Sequence, residues 1–251
     1  MVMESPLGNA HALLLPEGDT REEVDFNRNP YSCDFRADKS KGACNKLTST
    51  LKAALLVGQA AALAWYWWAR CSTPRCPACV LCGLVFLARV LFQLLYFWER
   101  RVPWLEVILE AAFIVPLSLI SLVWGASHGD AYIYNVVVGI VLFTIGTYVN
   151  IVPEAQRHCW KQQPGNTGKL FSGGLFGRAR HINYTGEVCS FIGFGLVSGQ
   201  WWNQWIPVCM GLGMIFWSQP ELDWYLKKRY GSEAHTAWLR QVPHKFIPGV
   251  W

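Results

Sequence analysis

The chain has 251 residues, of which 52% are hydrophobic, 14 are tryptophan and only 16% are charged, with a formal net charge of +5. So little charge over this length excludes an ordinary water-soluble enzyme and makes an integral membrane protein the expectation. The basic residues lie in loops beside apolar runs rather than along one stripe, a pattern of membrane topology and not of nucleic-acid binding.

Residues 1–48 are polar and mildly acidic, with Pro, Gly and Asn scattered through them. Such a segment buries too little to order itself, so it is expected to be a tail held by a partner, such as another membrane subunit. No basic stretch followed by a short apolar core opens the chain, and no signal peptide is expected. A bilayer crossing needs about twenty apolar residues, and the runs 51–69, 78–98, 103–125 and 132–152 supply them. Two shorter runs, 188–199 and 203–217, flank the polar break Gly199–Asn203 and predict a helical hairpin. Trp65, Trp67, Trp68, Trp98, Trp104 and Trp124 lie near span ends, as an interfacial belt does.

Charge sets orientation. Lys39, Lys41 and Lys46 precede the first run, Arg100 and Arg101 follow the second, Arg157, Lys161, Lys169, Arg178 and Arg180 follow the fourth, and Lys227, Lys228, Arg229, Arg240 and Lys245 follow the last. With six crossings these all fall on one side, the cytosolic or matrix side, together with both termini. The expected fold is therefore an all-α polytopic membrane bundle of about six helices. The predicted division is a tail over 1–48 and a membrane domain over 49–251, in the endoplasmic reticulum or the mitochondrial inner membrane.

Nine cysteines include Cys71, Cys76, Cys79 and Cys82, spaced C-x4-C-x2-C-x2-C. That spacing is superficially metal-like. Cys79 and Cys82 fall inside an apolar run, however, so structural cysteines are expected there and no metal. A Cys71–Cys76 disulfide is expected if that loop faces an oxidising compartment.

Arg89, Glu106 and Glu110 are ionisable residues within spans, and the two glutamates, four apart, share a helix face. Two roles remain open for them: a buried pairing that fixes packing, for instance with Arg89, or an acid that faces substrate. The segment 146–187 gathers the other polar groups. Gly165, Gly168, Gly173, Gly174 and Gly177 permit close backbone approach to a ligand. Arginine and lysine clamp phosphate, and asparagine serves an amide or base edge in both donor and acceptor roles. These types suit a phosphate-bearing cofactor; a basic loop on lipid headgroups is the alternative. Neither G-x-G-x-x-G nor G-x4-G-K-[ST] occurs, so no soluble nucleotide fold is indicated.

The run Gly174-Leu-Phe-Gly-Arg-Ala-Arg-His-Ile-Asn-Tyr-Thr-Gly-Glu187 resembles the G-L-[WF]-x3-R-H-P-N-Y-x-G-E signature of the steroid 5-alpha-reductase C-terminal-domain superfamily. That superfamily includes sterol reductases, with isoprenylcysteine methyltransferases as distant relatives. Asn150-Ile-Val-Pro-Glu154 resembles the reductases' N-x3-D, and Lys161-Gln-Gln-Pro-Gly165 resembles R-K-P-G. Asp223-Trp-Tyr-Leu-Lys-Lys-Arg-Tyr-Gly231 and Val242-Pro-His-Lys-Phe-Ile-Pro248 are similar to the W-Y-L-[RK]-K and terminal V-P-x3-I-P blocks. The resemblance covers roughly residues 135–251.

It implies a membrane enzyme that binds NADPH and reduces a C=C bond in a hydrophobic lipid or sterol-like substrate. It also implies that Asn183 and Glu187 meet the nicotinamide end, that Asn150 and Glu154 lie near ribose and amide groups, that Lys161 faces phosphate and that Tyr225 reaches the cofactor. Arg178, Arg180, His181 and Tyr184 complete the expected cofactor set, and Glu106 or Glu110 is the candidate catalytic acid. The sequence departs from the pattern at Ile182 for proline, Glu154 for aspartate and Lys161 for arginine, and at Trp217 and Glu221, where the reductases carry Arg and His. These departures keep two further readings in view: a methyltransferase using S-adenosylmethionine, and a catalytically reduced relative that serves, with no cofactor, as a structural subunit of a membrane complex.

Overall fold

The computed structural model describes residues 42–97, 102, 104–128, 132–166 and 168–250. The expected partner-bound tail up to residue 41, and Trp98, Arg100 and Arg101, lie outside the described residues. The chain begins helix α1 at Gly42–Arg70, then α2 at Cys76–Phe92, which continues through a π-helical turn at Gln93–Phe97. A single turn, α3 (Trp104–Glu106), leads into a π-helical stretch (Val107–Ile114) and α4 (Val115–His128). Next come α5 (Ile133–Gln162), α6 (Ile182–Ser198), α7 (Trp205–Gly213), α8 (Gln219–Tyr230) and α9 (Ser232–Gln241). Among the described residues, Leu47–Arg70, Cys76–Phe97, Val107–His128 and Ile133–Gln162 are long and apolar enough to cross a bilayer. The protein is an all-α membrane bundle. Its outward side chains include Trp68, Leu95, Phe113, Ile120, Tyr132 and Ile133, a surface for which lipid is the fitting solvent.

Two compact units make up the described chain: one of residues 42–147 and 188–209, the other of 148–187 and 210–250. In the first unit, Cys71 and Cys76 form a disulfide, and Pro77 follows in the first turn of α2, where its missing N–H costs nothing. Thr73 Oγ1 accepts the Cys76 N–H at 3.3 Å and donates to the Ala126 carbonyl at 2.7 Å. Arg75 Nε donates to the same carbonyl at 3.1 Å. One of the carbonyls left open at the end of α4 is thereby satisfied. Cys79 is buried and its thiol donates to the Leu122 carbonyl at 3.4 Å.

Helices α5 and α6 approach backbone to backbone at Gly139 and Gly193. A Cβ on Gly139 would lie 2.7 Å from the Gly193 carbonyl, so only glycine fits. Small residues are how membrane helices gain contact when lipid competes for apolar side chains. Phe143 and Phe194 meet beside this crossing in a T-shaped pair with centroids 5.8 Å apart. Across the bundle, Ser121 Oγ donates to Asn203 Oδ1 at 2.5 Å, and Asn203 Nδ2 donates to Ser198 Oγ at 2.8 Å.

Lys52, which the sequence does not single out, is the cation at the paired glutamates. It is wholly buried, and its Nζ lies 2.6 Å from Glu106 Oε1 and 3.0 Å from Glu110 Oε2. Arg89 is also buried, with its guanidinium over the Phe86 ring at 5.2 Å. Lys52 of α1 pairs with both glutamates, in a buried contact at Glu106 and a partly exposed one at Glu110, whose side chain is 38% exposed.

Candidate polar site in the second unit

Helix α5 has 30 residues. At 1.5 Å per residue it is about 45 Å long, roughly 15 Å more than a hydrocarbon core, and its polar C-terminal end is the surplus. Asn150, Glu154, Arg157 and Lys161 stand on that end at intervals of four, three and four residues, which aligns them along one face of the helix. Sequence patterning alone contains this stripe, and Arg157 joins the expected residues through it.

The first turn of α6 docks onto the stripe. Asn150 Nδ2 donates to the Asn183 carbonyl at 3.0 Å. Asn183 Nδ2 donates to Glu154 Oε1 at 3.0 Å, and Glu154 Oε2 accepts from Arg157 Nη2 at 2.5 Å. Three expected cofactor residues, Asn150, Glu154 and Asn183, therefore belong to one network. The side-chain carbonyl of Asn183 stays available as an acceptor. Tyr184 and Glu187 follow on the same helix, both half-buried.

Lower on the stripe, Lys161 donates from Nζ to Tyr230 Oη at 3.0 Å and to the Lys169 carbonyl. Arg229 Nη1 donates to Tyr225 Oη at 2.8 Å, and its guanidinium also lies 5.8 Å from the Tyr230 ring centroid. Lys161 and Tyr225 thus meet through Tyr230 and Arg229, two residues outside the expected set. Burial pushes the Tyr230 phenol up, but Lys161 and Arg229 more than offset this and hold it below its ordinary value.

A third cluster surrounds the signature's Arg-His pair. The backbone N–H groups of Arg180 and His181 donate to the carbonyls of His244 and Lys245 at 3.0 and 2.8 Å, and Thr185 Oγ1 donates to the Phe246 carbonyl at 2.7 Å. The Val242–Pro248 block is therefore a strap across the signature. His181, fully buried, stacks on Tyr184 with centroids 5.4 Å apart and lies 3.4 Å from Asp223 Oδ1. Burial alone would raise the Asp223 carboxyl. His181, Gln219 and Arg180 outweigh it and hold the group below the usual carboxylate value. Arg180 lies over Trp238, which packs in a core with Leu170, Tyr230, Ala234 and Val242. Arg178, by contrast, stands exposed after the turn Gly174–Gly177. At the positions where the reductases carry cations, Trp217 is exposed and Glu221 is buried.

The stretch that holds these residues matches known proteins. A family described as "Protein of unknown function (DUF1295)" matches residues 93–242, more than half of the chain and the whole stretch from Asn150 to Tyr225. The chain belongs to the DUF1295 family. Over 112 residues it is 35% identical to the Probable O-methyltransferase ustE of Ustilaginoidea virens, covering 41% of this chain and 38% of that protein. Over 151 residues it is 27% identical to the Delta(14)-sterol reductase of Arabidopsis thaliana, covering 55% of this chain and 40% of the reductase. The chain spans about two-fifths of the length of each of these relatives. The superfamily resemblance carried by the signature thus holds for a DUF1295 protein, with one relative named as a reductase and one as a methyltransferase.

Proposed function

We propose that this DUF1295 protein is a membrane reductase that transfers hydride from NADPH to an electron-poor carbon of an activated C=C bond in a lipid or sterol-like substrate. The observation that carries this reading is the joined network of Asn150, Glu154 and Asn183, which presents an amide acceptor and a carboxylate at the polar end of α5. The donor set fits a nicotinamide dinucleotide. Asn183 Oδ1 is placed to accept from a carboxamide, Glu154 from a ribose hydroxyl, and Lys161 and Arg229 carry charge for phosphate. NADPH supplies the hydride when bound. Asn150 keeps Asn183 in place, and Glu154 sets the orientation of its amide. The proton that completes the reduction comes from a carboxylic acid or a phenol. The Cys71–Cys76 disulfide suits a loop in an oxidising compartment.

The second reading, a methyltransferase using S-adenosylmethionine, has the support of the 35% identity to an O-methyltransferase. Titration of the detergent-solubilised protein separates the two. NADPH is expected to bind with enhanced nicotinamide fluorescence, and Asn183→Ala is expected to weaken binding at least tenfold, the effect of losing one hydrogen bond with about 1.4 kcal/mol of net value. Binding of S-adenosylmethionine without NADPH would transfer the site to the second reading. Binding of neither would leave the structural-subunit role.

A further inference from the structure

Four cysteines, Cys71, Cys76, Cys79 and Cys82, stand in a row where α1 turns into α2. Cys71 and Cys76 are joined. Cys79 keeps a free thiol and is as deeply buried as Cys76, both at 0% exposure, whereas Cys71 is half-exposed. The run Cys76-Pro-Ala-Cys79 opens the 17-residue helix α2 with two sulfurs three residues apart on one face. Helical geometry sets their Cα atoms about 5 Å apart, inside the range of roughly 4.4–6.8 Å that a disulfide spans. Cys82, six residues from Cys76, is about 10 Å from it and too far to bridge it.

One stretch of α4 holds both sulfurs. Ser127 Oγ donates to Cys76 Sγ at 3.8 Å, and the Cys79 thiol donates to the Leu122 carbonyl at 3.4 Å. Between them, the Ala126 carbonyl accepts from Arg75 Nε at 3.1 Å, which fixes the arginine beside the sulfurs. Arg75 is 6% exposed and its charge acts on Cys79. Its two terminal nitrogens, Nη1 and Nη2, are buried without a hydrogen-bond partner. A buried cation with unused donors is complemented by a negative group that forms in place, and a thiolate is the anion this cluster can make.

We propose that Cys71, Cys76 and Cys79 form a thiol–disulfide exchange site whose substrate is a low-molecular-weight disulfide. Cys79 attacks Cys76 Sγ. The Cys76–Cys79 bond forms, the Cys71–Cys76 bond breaks and the Cys79 proton ends on Cys71, so this exchange within the chain needs no oxidant. Arg75 stabilises the attacking thiolate. Released Cys71 then attacks the external disulfide R–S–S–R. The mixed disulfide Cys71–S–S–R forms, and R–SH leaves with the Cys71 proton.

The external step falls to Cys71 because it is the exposed member of the three. Partial exposure in a short loop between two spans suits a small co-reactant. The site lies wholly in the first unit and does not rest on the reductase reading.

The test uses the full chain in detergent, without NADPH, incubated at pH 8 with glutathione disulfide, quenched in acid and digested without reduction for mass spectrometry. Cleavage after Arg75 separates Cys71 from Cys76, so the bond pattern is read directly. The wild type is expected to yield a peptide with an internal Cys76–Cys79 bond and a glutathione adduct on Cys71. Cys79→Ser keeps a donor for Leu122; it is expected to retain Cys71–Cys76 and to form the Cys71 adduct at least tenfold more slowly. Arg75→Gln is expected to slow the adduct about tenfold through loss of the counter-charge, and Arg75→Lys to recover part of the rate. An arginine that only ties down the loop would give no such recovery by charge, and that result overturns the role assigned to Arg75. A wild type that keeps Cys71–Cys76 alone and takes up no glutathione at Cys71 overturns the proposal, as does a Cys79→Ser protein that takes it up at the wild-type rate. The wild-type bond map decides the matter if Cys79→Ser folds poorly.

Discussion

Lys52 and Arg180 are both cations with little exposure, and they are held in opposite ways. Lys52 donates to two carboxylates four residues apart on the next hairpin, at 2.6 and 3.0 Å. Arg180 has an aromatic face beneath it, a shared aspartate nearby and a buried Nε with no acceptor. The first arrangement is closed on itself and fixes how α1 meets the Glu106–Glu110 face. The second is open, and its neighbours His235 and Trp238 share the same deficit. Desolvating a charge is expensive wherever it happens. The first cation fixes packing through its carboxylates, whereas the second keeps part of its desolvation cost unmet.

The comparison breaks most sharply at Lys52. Lys52→Ala leaves Glu106 beside an empty volume where its ammonium partner stood, and removal of one member of a buried ion pair costs about 3–5 kcal/mol. The variant is expected to lose most of its resistance to thermal unfolding in detergent. Lys52→Met with Glu106→Gln restores volume and removes the stranded charge, so the double variant is expected to recover much of that loss. Glu110, 38% exposed at its side chain, is the lesser partner, and Glu110→Gln is expected to cost less than Glu106→Gln. If Glu110→Gln instead leaves the thermal midpoint alone and abolishes turnover, the pair divides into one packing residue and one catalytic acid.

Acid sharpens the comparison at its other end. His235 has its proton affinity lowered from an ordinary value of 6.5 by burial, with Lys227 and Arg180 adding to it against Asp223. Between 6.5 and the lowered value, the unfolded chain takes up a proton that the fold refuses. Stability therefore falls as pH drops through that window. Asp223, held below its ordinary 3.8, adds a second loss only at lower pH, as its own proton returns. The wild type is expected to lose thermal stability between pH 7 and 5, and His235→Gln to flatten that slope while leaving the fall below pH 4.

Much of this was legible in the sequence, for reasons that differ by residue. The four long spans follow from twenty-residue apolar runs, since nothing else in lipid satisfies the backbone. The Cys71–Cys76 disulfide follows from a short polar loop with cysteines at both ends. Asn150, Glu154 and Asn183 are marked by motif resemblance and the stripe by helical spacing, and the structure adds the hydrogen bonds that join the three. Lys52 gives no signal in the sequence, because it stands near the start of an apolar run, where snorkelling to the interface is the usual fate of a lysine; only the fold brings Glu106 and Glu110 to it. Trp238 and His235 carried no signal, because an indole in a short amphipathic helix reads as core. The missing acceptor is a property of three dimensions.

The smallest expected effect concerns Arg157. Its contact with Glu154 is short, 2.5 Å, but the arginine side chain is 47% exposed. Exposed pairs of this kind are worth about 0–1 kcal/mol once side-chain entropy and solvent screening are counted, so Arg157→Ala should move the thermal midpoint little. Its consequence lies in the network. Without Arg157, Glu154 Oε2 loses its fixed partner, while Oε1 still accepts from Asn183. If Glu154 orients Asn183 for a nicotinamide, NADPH affinity is expected to fall two- to fivefold at low salt and less at high salt, where the wild-type pair is itself screened. An affinity loss that is independent of salt would mean that Arg157 acts on the network through packing and not through its charge, whereas a loss at low salt much larger than fivefold would mean that Arg157 touches the anionic cofactor directly, and the boundary between the network's holding residues and its binding residues would move by one helical turn.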